Sequence, residues 1–423
     1  MTYRRRIIDD TLDDLFPHLA AIALEGAKGV GKTATAGQRA QTVFSLNRSE
    51  QRDLLLADLD SLTRAPRPVF VDEWQLVPET WDRVRSAVDE DPSGGRFLLA
   101  GSAGVAPQAR IHSGAGRIVR LLLRPLSLAE RQLTEPTVSL KALLTDPATD
   151  ITGHTPVNLP IYVDEILSSG FPGIRPLPER ARAAQLDSYI ARIVDRELPD
   201  NGVVVRKPAT LTAWLAAYAA ATSTDATYTA ILDAATPGEN DKPSRSTVDS
   251  YRDHLTRLFI LDPVPAWIPV FNPLARLTRT PKHQLVDPAL AARLVGVDRE
   301  ALLQGTGGGV GKATGTWLGS LFESLATQSL RIYAEAVDAR IGHLRTKDTA
   351  REIDLIIEGQ NRRVVAVEVK LASSVSDHDV RHLNWLRSQL GDRLVNRVVV
   401  TTGPHAYRRP DGVVVAPLAL LGP

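Results

Sequence analysis

Cysteine is absent from all 423 residues. That excludes disulfide staples, thiolate zinc sites and cysteine nucleophiles together. Neither sign of charge dominates: 50 Lys+Arg face 49 Asp+Glu, for a formal net charge of +1. No global basic field therefore advertises nucleic acid, and any such site must be a local patch. No uninterrupted apolar run is long enough to span a bilayer. The basic stretch Tyr3-Arg4-Arg5-Arg6 is followed by Asp9, Asp10, Asp13 and Asp14. An apolar signal-peptide core does not read that way, so a cytosolic protein is the default expectation. With 43% hydrophobic and 23% charged residues the chain sits with ordinary globular proteins. Its length exceeds one hydrophobic core, and about two to four domains are expected.

What is present begins with residues 26–33, GAKGVGKT: Gly26, Ala27, Lys28, Gly29, Val30, Gly31, Lys32 and Thr33. They fit G-x-x-x-x-G-K-[ST] at every fixed position. Glycines let backbone N–H groups turn inward around phosphates. Lys32 is placed to reach the β- and γ-phosphates of ATP, and Thr33 to put its hydroxyl on Mg²⁺. The apolar run Ala21-Ile22-Ala23-Leu24 predicts a buried strand before the loop, and 33–40 predicts a helix after it. Residues 69–73, VFVDE, read as an apolar strand delivering two acids at its C-terminal end. Asp72 is the expected Mg²⁺ holder and Glu73 the expected catalytic base for the attacking water. A third strand over 96–100 ends at Gly101-Ser102. Ser102 is either a γ-phosphate sensor or a simple turn residue. Arg117, ahead of an apolar strand over 118–123, is either an arginine finger (in cis or across a subunit boundary) or an exposed strand-start arginine. Strands alternating with helical stretches predict a parallel α/β sheet covered on both faces.

The middle is helical. Residues 134–160, rich in Thr, Pro and Asp, read as a mostly irregular connector. Leu211, Trp214, Leu215 and Tyr218 form one apolar helical stripe, and Val248, Tyr251, Leu255 and Leu258 another. With 259–261 and 284–286 as wing strands, this resembles a winged helix. Arg245, Arg252 and Arg257 on its third helix suit a DNA groove, or the module makes only protein contacts. The run 307–312, GGGVGK, lacks the first glycine and the Ser/Thr of a second phosphate loop and reads as a linker.

The last third carries Glu323 on a predicted helix, Asp354 on a strand over 352–357, and Glu368 and Lys370 on a strand over 363–370. Residues two apart on a strand share a face, so Glu368 and Lys370 point the same way. Buried carboxylates need a neutralising cation, and clustered acids suit Mg²⁺. A metal held by Asp354 and Glu368 would activate water against a phosphodiester, with Lys370 stabilising charge. The alternative is a structural Glu368–Lys370 pair and an unrelated Asp354.

GAKGVGKT, VFVDEWQ, LLAGSA, GRIVRLLLRPLSLAE, SGFP, PKHQLVDPAL, GSLFESL, REIDLIIE and AVEVK together resemble the prokaryotic AAA-type ATPases whose C-terminal half is the DUF4143 domain. The resemblance implies an ATPase domain over 1–133, a helical connector and winged-helix-like module over 134–300, and a Gly-rich linker over 301–311. Over 312–423 it implies a PD-(D/E)XK nuclease-like α/β domain, with ATP and Mg²⁺ as cofactors and possible DNA, protein or homo-oligomeric partners. Ser168-Ser169-Gly170 stands where that family usually has a Gly-Gly pair before Phe-Pro. Two functions follow as expectations. One is an ATP-driven, DNA-directed enzyme; the other is a nucleotide-dependent switch or regulator with an inactive nuclease fold.

Overall fold

The computed structural model describes residues 3–101, 114–200, 205, 207–236, 244–268, 280–304, 314–346 and 351–423. Near the N-terminus, five strands form one sheet: β1 (Ala21–Glu25), β2 (Thr42–Ser45), β3 (Val69–Asp72), β4 (Phe97–Gly101) and β5 (Ile118–Leu122). The order is β2-β3-β4-β1-β5, and every pairing is parallel. β1 has apolar residues on both faces because both are covered. Ile22 and Leu24 pack with Leu12 and Phe16 of the N-terminal segment, while Ala21 and Ala23 pack on the side of Trp81 and Val84. The helix after the phosphate loop spans only Lys32–Gly37, not 33–40. Gly37 is its last residue, and the chain is already entering β2 at Thr42.

The stretch 134–160 departs from the expectation of an irregular connector. It contributes β6 (Val138–Ser139), a helix Leu140–Thr145 and β7 (Gly153–His154). The remaining strands are β8 (Arg340–Arg345), β9 (Glu352–Glu358), β10 (Val364–Val369), β11 (Leu394–Thr401), β12 (His405–Arg408), β13 (Val414–Pro417) and β14 (Leu421–Gly422). β7 closes one edge of a seven-stranded sheet ordered β7-β12-β13-β11-β10-β9-β8, and β6 pairs β14 in parallel. The connector is thus woven into the C-terminal unit. Strands two residues long leave no periodicity to read, which is why they escape sequence analysis.

The helix Thr314–Ala336, longer than the 315–331 expected, covers one face of this sheet. Leu321, Phe322 and Leu325 belong to the same buried core as Leu355, Ile357, Val365 and Val367. The helix Asp377–Leu390 covers the other face, against Ile356, Val364, Ala366 and Val399. In the middle, helices Pro208–Ala220, Tyr228–Ala235 and Arg245–Arg257 bury the two predicted apolar stripes. Antiparallel bridges Leu261↔Leu285 and Val264↔Lys282 follow, and Ala266↔His343 extends the pairing onto β8. On the third helix Arg252 is bonded to Asp249 at 2.9 Å and lies over the Tyr228 ring, and Asp253 is also beside it. Arg245 and Arg257 are exposed. The arginines intended for a DNA groove therefore share their helix with neutralising acids.

One core crosses from the phosphate loop into the middle and C-terminal parts: Ala27, Val30 and Leu123 join Tyr162, Phe171, Trp214, Tyr333 and Leu421 in a single apolar cluster. Separate clusters lie on the two faces of the first sheet and under the helix Asp377–Leu390. A buried ion pair fixes the chain entry. Arg6 is 4% exposed and bonds Glu130 (2.8 Å) and the carbonyl oxygens of Val30 (3.0 Å) and Arg124 (2.9 Å). Removing one partner of such a pair strands the other charge. Arg6→Ala is expected to cost about 3–5 kcal/mol of stability, measured as a lower urea midpoint by circular dichroism.

Candidate functional site

The loop between β1 and the helix Lys32–Gly37 is built on torsions that side chains resist. Gly26, Gly29 and Gly31 have φ of 145°, 84° and 105°. A Cβ on Gly26 would lie 2.1 Å from the carbonyl oxygen of Leu123. Only glycine meets both constraints. Lys32, 6% exposed, folds back over the loop and donates to the carbonyls of Gly26 (2.7 Å) and Ala27 (2.9 Å). Burial pushes its ammonium down to about 8, against the pull of Glu73 and Asp72. Thr33 Oγ1 donates to both carboxylate oxygens of Asp72, at 2.9 and 3.1 Å. Burial raises the Asp72 carboxyl. Glu73 follows at the strand end with φ 55°, a left-handed conformation costly for a glutamate, and Gln75 Nε2 bonds its carboxylate.

Asp72 and Thr33 meet although 39 residues separate them, because only β4 lies between β3 and β1 and all strands run the same way. That common direction also decides Arg117. It precedes β5, whose first residue pairs with Ala21, the start of β1. Arg117 therefore sits at the opposite edge of the sheet from the loop, about 16 Å of strand away. It is half-exposed and bonded to Asp89 at 2.8 Å. The reading of Arg117 as a phosphate contact within its own chain is corrected on this geometry. Ser102 lies outside the described residues.

Residues outside the phosphate-loop and Walker B motifs form the floor of the loop. Phe171 approaches Gly29, Pro172 approaches Gly31, and the Tyr189 hydroxyl donates to the Lys28 carbonyl at 3.0 Å. Lys28 pairs with Glu197 at 2.9 Å, on a π-turn, Ile193–Glu197, that interrupts the helical run after Arg192. The SGFP segment is fixed in turn by Asp287, which accepts from the Gly170 amide at 2.7 Å, the Ala289 amide at 2.9 Å and Gln328 Nε2 at 3.3 Å.

The C-terminal acids also converge. Lys370 Nζ donates to Glu368 at 2.8 Å, as the shared strand face requires. Asp354 accepts the Val369 amide at 2.9 Å, so β9 and β10 bring Asp354 beside Glu368. Glu323 joins them through a residue that sequence reasoning missed. Lys282, 1% exposed, lies 2.8 Å from Glu323, 3.0 Å from Asp354 and 3.3 Å from Glu352. Burial opposes charge on Asp354, but Lys282 and Lys370 hold its carboxyl below the usual range. Burial and the Asp354 charge push Glu323 up to about 8 and Glu368 well above the usual range. The only sequence signal for Lys282 was a charge deficit: three acids were assembled against Lys370 alone. A cleft of about 220 Å³ opens here, lined by Glu352, Asp354, Glu368, Lys370, Arg381 and His382 among others. Among the described residues no trio of His, Asp or Glu is disposed to hold a metal ion. His382 Nδ1 instead donates to the Glu352 carbonyl oxygen at 2.8 Å.

Residues 19–132 match a family profile described as an AAA domain; residues 160–301 and 318–421 match two domains of unknown function, DUF8612 and DUF4143. The chain thus carries an AAA domain and a DUF4143 domain. The uncharacterized proteins Mb2031c of Mycobacterium bovis and Rv2008c of Mycobacterium tuberculosis are each 25% identical over 411 residues, covering 94% of this chain and 79% of theirs. Among solved structures, the Walker-type ATPase Paby2304 of Pyrococcus abyssi aligns at 14% identity and a TM-score of 0.42, over 69% of this chain and 96% of its own. A Drosophila ORC structure bound to DNA aligns at 17% identity and a TM-score of 0.23, over 60% and 86%.

Gly26→Ala is expected to lower stability by about 2–5 kcal/mol, from the forced torsion and the clash with Leu123. The same denaturation assay reads it, and Gly37→Ala, with open space around its α-carbon, is the control expected to change little.

Proposed function

We propose that this chain binds and hydrolyses ATP with Mg²⁺ and works as a nucleotide-dependent switch. The observation that carries the reading is the phosphate loop itself: three glycines at positive φ around a buried lysine, beside a Thr33–Asp72 contact. Those residues fit the group. Loop amides of 26–33 and the Lys32 ammonium would hold the phosphates; Thr33 and Asp72 would hold the metal. Bound Mg²⁺ supplies charge neutralisation at the transferring phosphoryl group. Lys32 must leave the Gly26 and Ala27 carbonyls to meet an anion. Glu73 orients and deprotonates the attacking water. Phe171 and Pro172 cover the loop from the middle module, so a change in loop shape reaches that module first.

The ATP-driven nuclease reading rests on Asp354, Glu368 and Lys370 meeting at β9 and β10. The placement of Lys282 favours the switch. Magnesium-dependent cutting of DNA, lost in Asp354→Ala, would restore the nuclease reading, and stimulation of ATP turnover by DNA would restore the DNA-directed one.

Three outcomes test the ATPase. Lys32→Ala abolishes the calorimetric heat of Mg-ATP binding. Glu73→Gln keeps binding and slows turnover by about 10²–10⁴-fold. Binding favours the protonated Lys32, whose ammonium in the free protein titrates at about 8. Affinity therefore falls as pH rises through 8, by at most about tenfold per unit. At pH 8.5 calorimetry in two buffers of different ionisation heat shows net proton uptake.

A further inference from the structure

The fold that DUF4143 resembles implies a divalent metal among Glu323, Asp354 and Glu368. The side chains present do not fit one. Asp354 has both oxygens engaged, Oδ1 by Lys282 Nζ at 3.0 Å and Oδ2 by the Val369 amide at 2.9 Å. Glu323 Oε1 accepts from Lys282 at 2.8 Å, and Glu368 Oε2 from Lys370 at 2.8 Å. Glu368 Oε1 alone among these atoms is buried without a partner. Mg²⁺ demands six oxygen donors in near-octahedral array and is usually bound through one or two carboxylates plus waters. One buried, unpartnered oxygen beside two ammonium groups does not offer that.

Lys282 is also seated where withdrawal is costly. Its backbone amide and carbonyl are both paired with Val264, at 2.9 and 2.8 Å. Five residues on, Asp287 anchors the same segment to Gly170 and Gln328. A three-donor ammonium set among three carboxylates does the neutralising work of a metal without leaving an exchangeable site.

We infer that Lys282 is the resident cation of the C-terminal carboxylate cluster, standing in for a divalent metal and shutting the cluster to one. The inference is independent of the ATPase reading, because its test uses no nucleotide. The full chain is titrated with Mn²⁺ and free Mn²⁺ is read by electron paramagnetic resonance. Wild type and Asp354→Asn are expected to give the same isotherm. Lys282→Met keeps the stem's length, removes the charge, and is expected to bind one Mn²⁺ at least about tenfold more tightly than wild type. That gain disappears in the Lys282→Met, Asp354→Asn double variant. Submillimolar Mn²⁺ binding by wild type that Asp354→Asn removes overturns the inference, as does a folded Lys282→Met with no gain. If Lys282→Met fails to fold by circular dichroism, the comparison of wild type with Asp354→Asn decides alone.

Discussion

The carboxylate of Asp287 ties together three pieces of chain that lie far apart in the sequence. It caps the helix Pro288–Val295, receives the amide of Gly170 from the SGFP segment, and receives Gln328 from the long helix Thr314–Ala336. It is fully buried, so each of those bonds is made in a medium where leaving it unmade is expensive. The phosphate loop rests on Phe171 and Pro172, which directly follow Gly170. Lys282, in the carboxylate cluster, lies on the same short segment as Asp287. The floor of one site and the segment carrying the cation of the other are thus joined through one carboxylate.

Buried charge recurs wherever the domains touch. Arg131 bonds Glu165 and Gln328; Arg175 doubles the Glu165 contact. Arg124 joins Asp262 and Glu335, and Arg331 also reaches Asp262. Burial works against charge on Asp262, yet the two guanidinium groups hold its carboxyl well below the usual carboxylate range. Such networks add little net stability over apolar packing, but removal of any member is penalised.

The legible parts of the sequence were those whose cause is local. Gly26, Gly29 and Gly31 are required by torsions within eight residues, and β1, β3 and β4 are apolar runs covered on both faces. The helical stripes at Leu211 and Val248 were equally plain. What escaped depends on pairing at a distance. Lys282 meets Glu323 and Asp354 from 41 and 72 residues away. For Arg117 two readings stood open, a finger or an exposed strand-start residue, and only the pairing of β5 with β1 puts it at the far end of the strands from the loop. β6 and β7 owe their existence to partners near the far end of the chain.

That last feature bears on synthesis. On a ribosome, Val138–Ser139 and Gly153–His154 emerge long before Leu421–Gly422 and His405–Arg408, the strands they pair with. Their backbone groups and the apolar side chains of Leu140, Leu143 and Leu144 must wait in water until those partner strands have been made. The nascent chain therefore presents sticky surface until then, in the very stretch that composition alone makes look like inert linker.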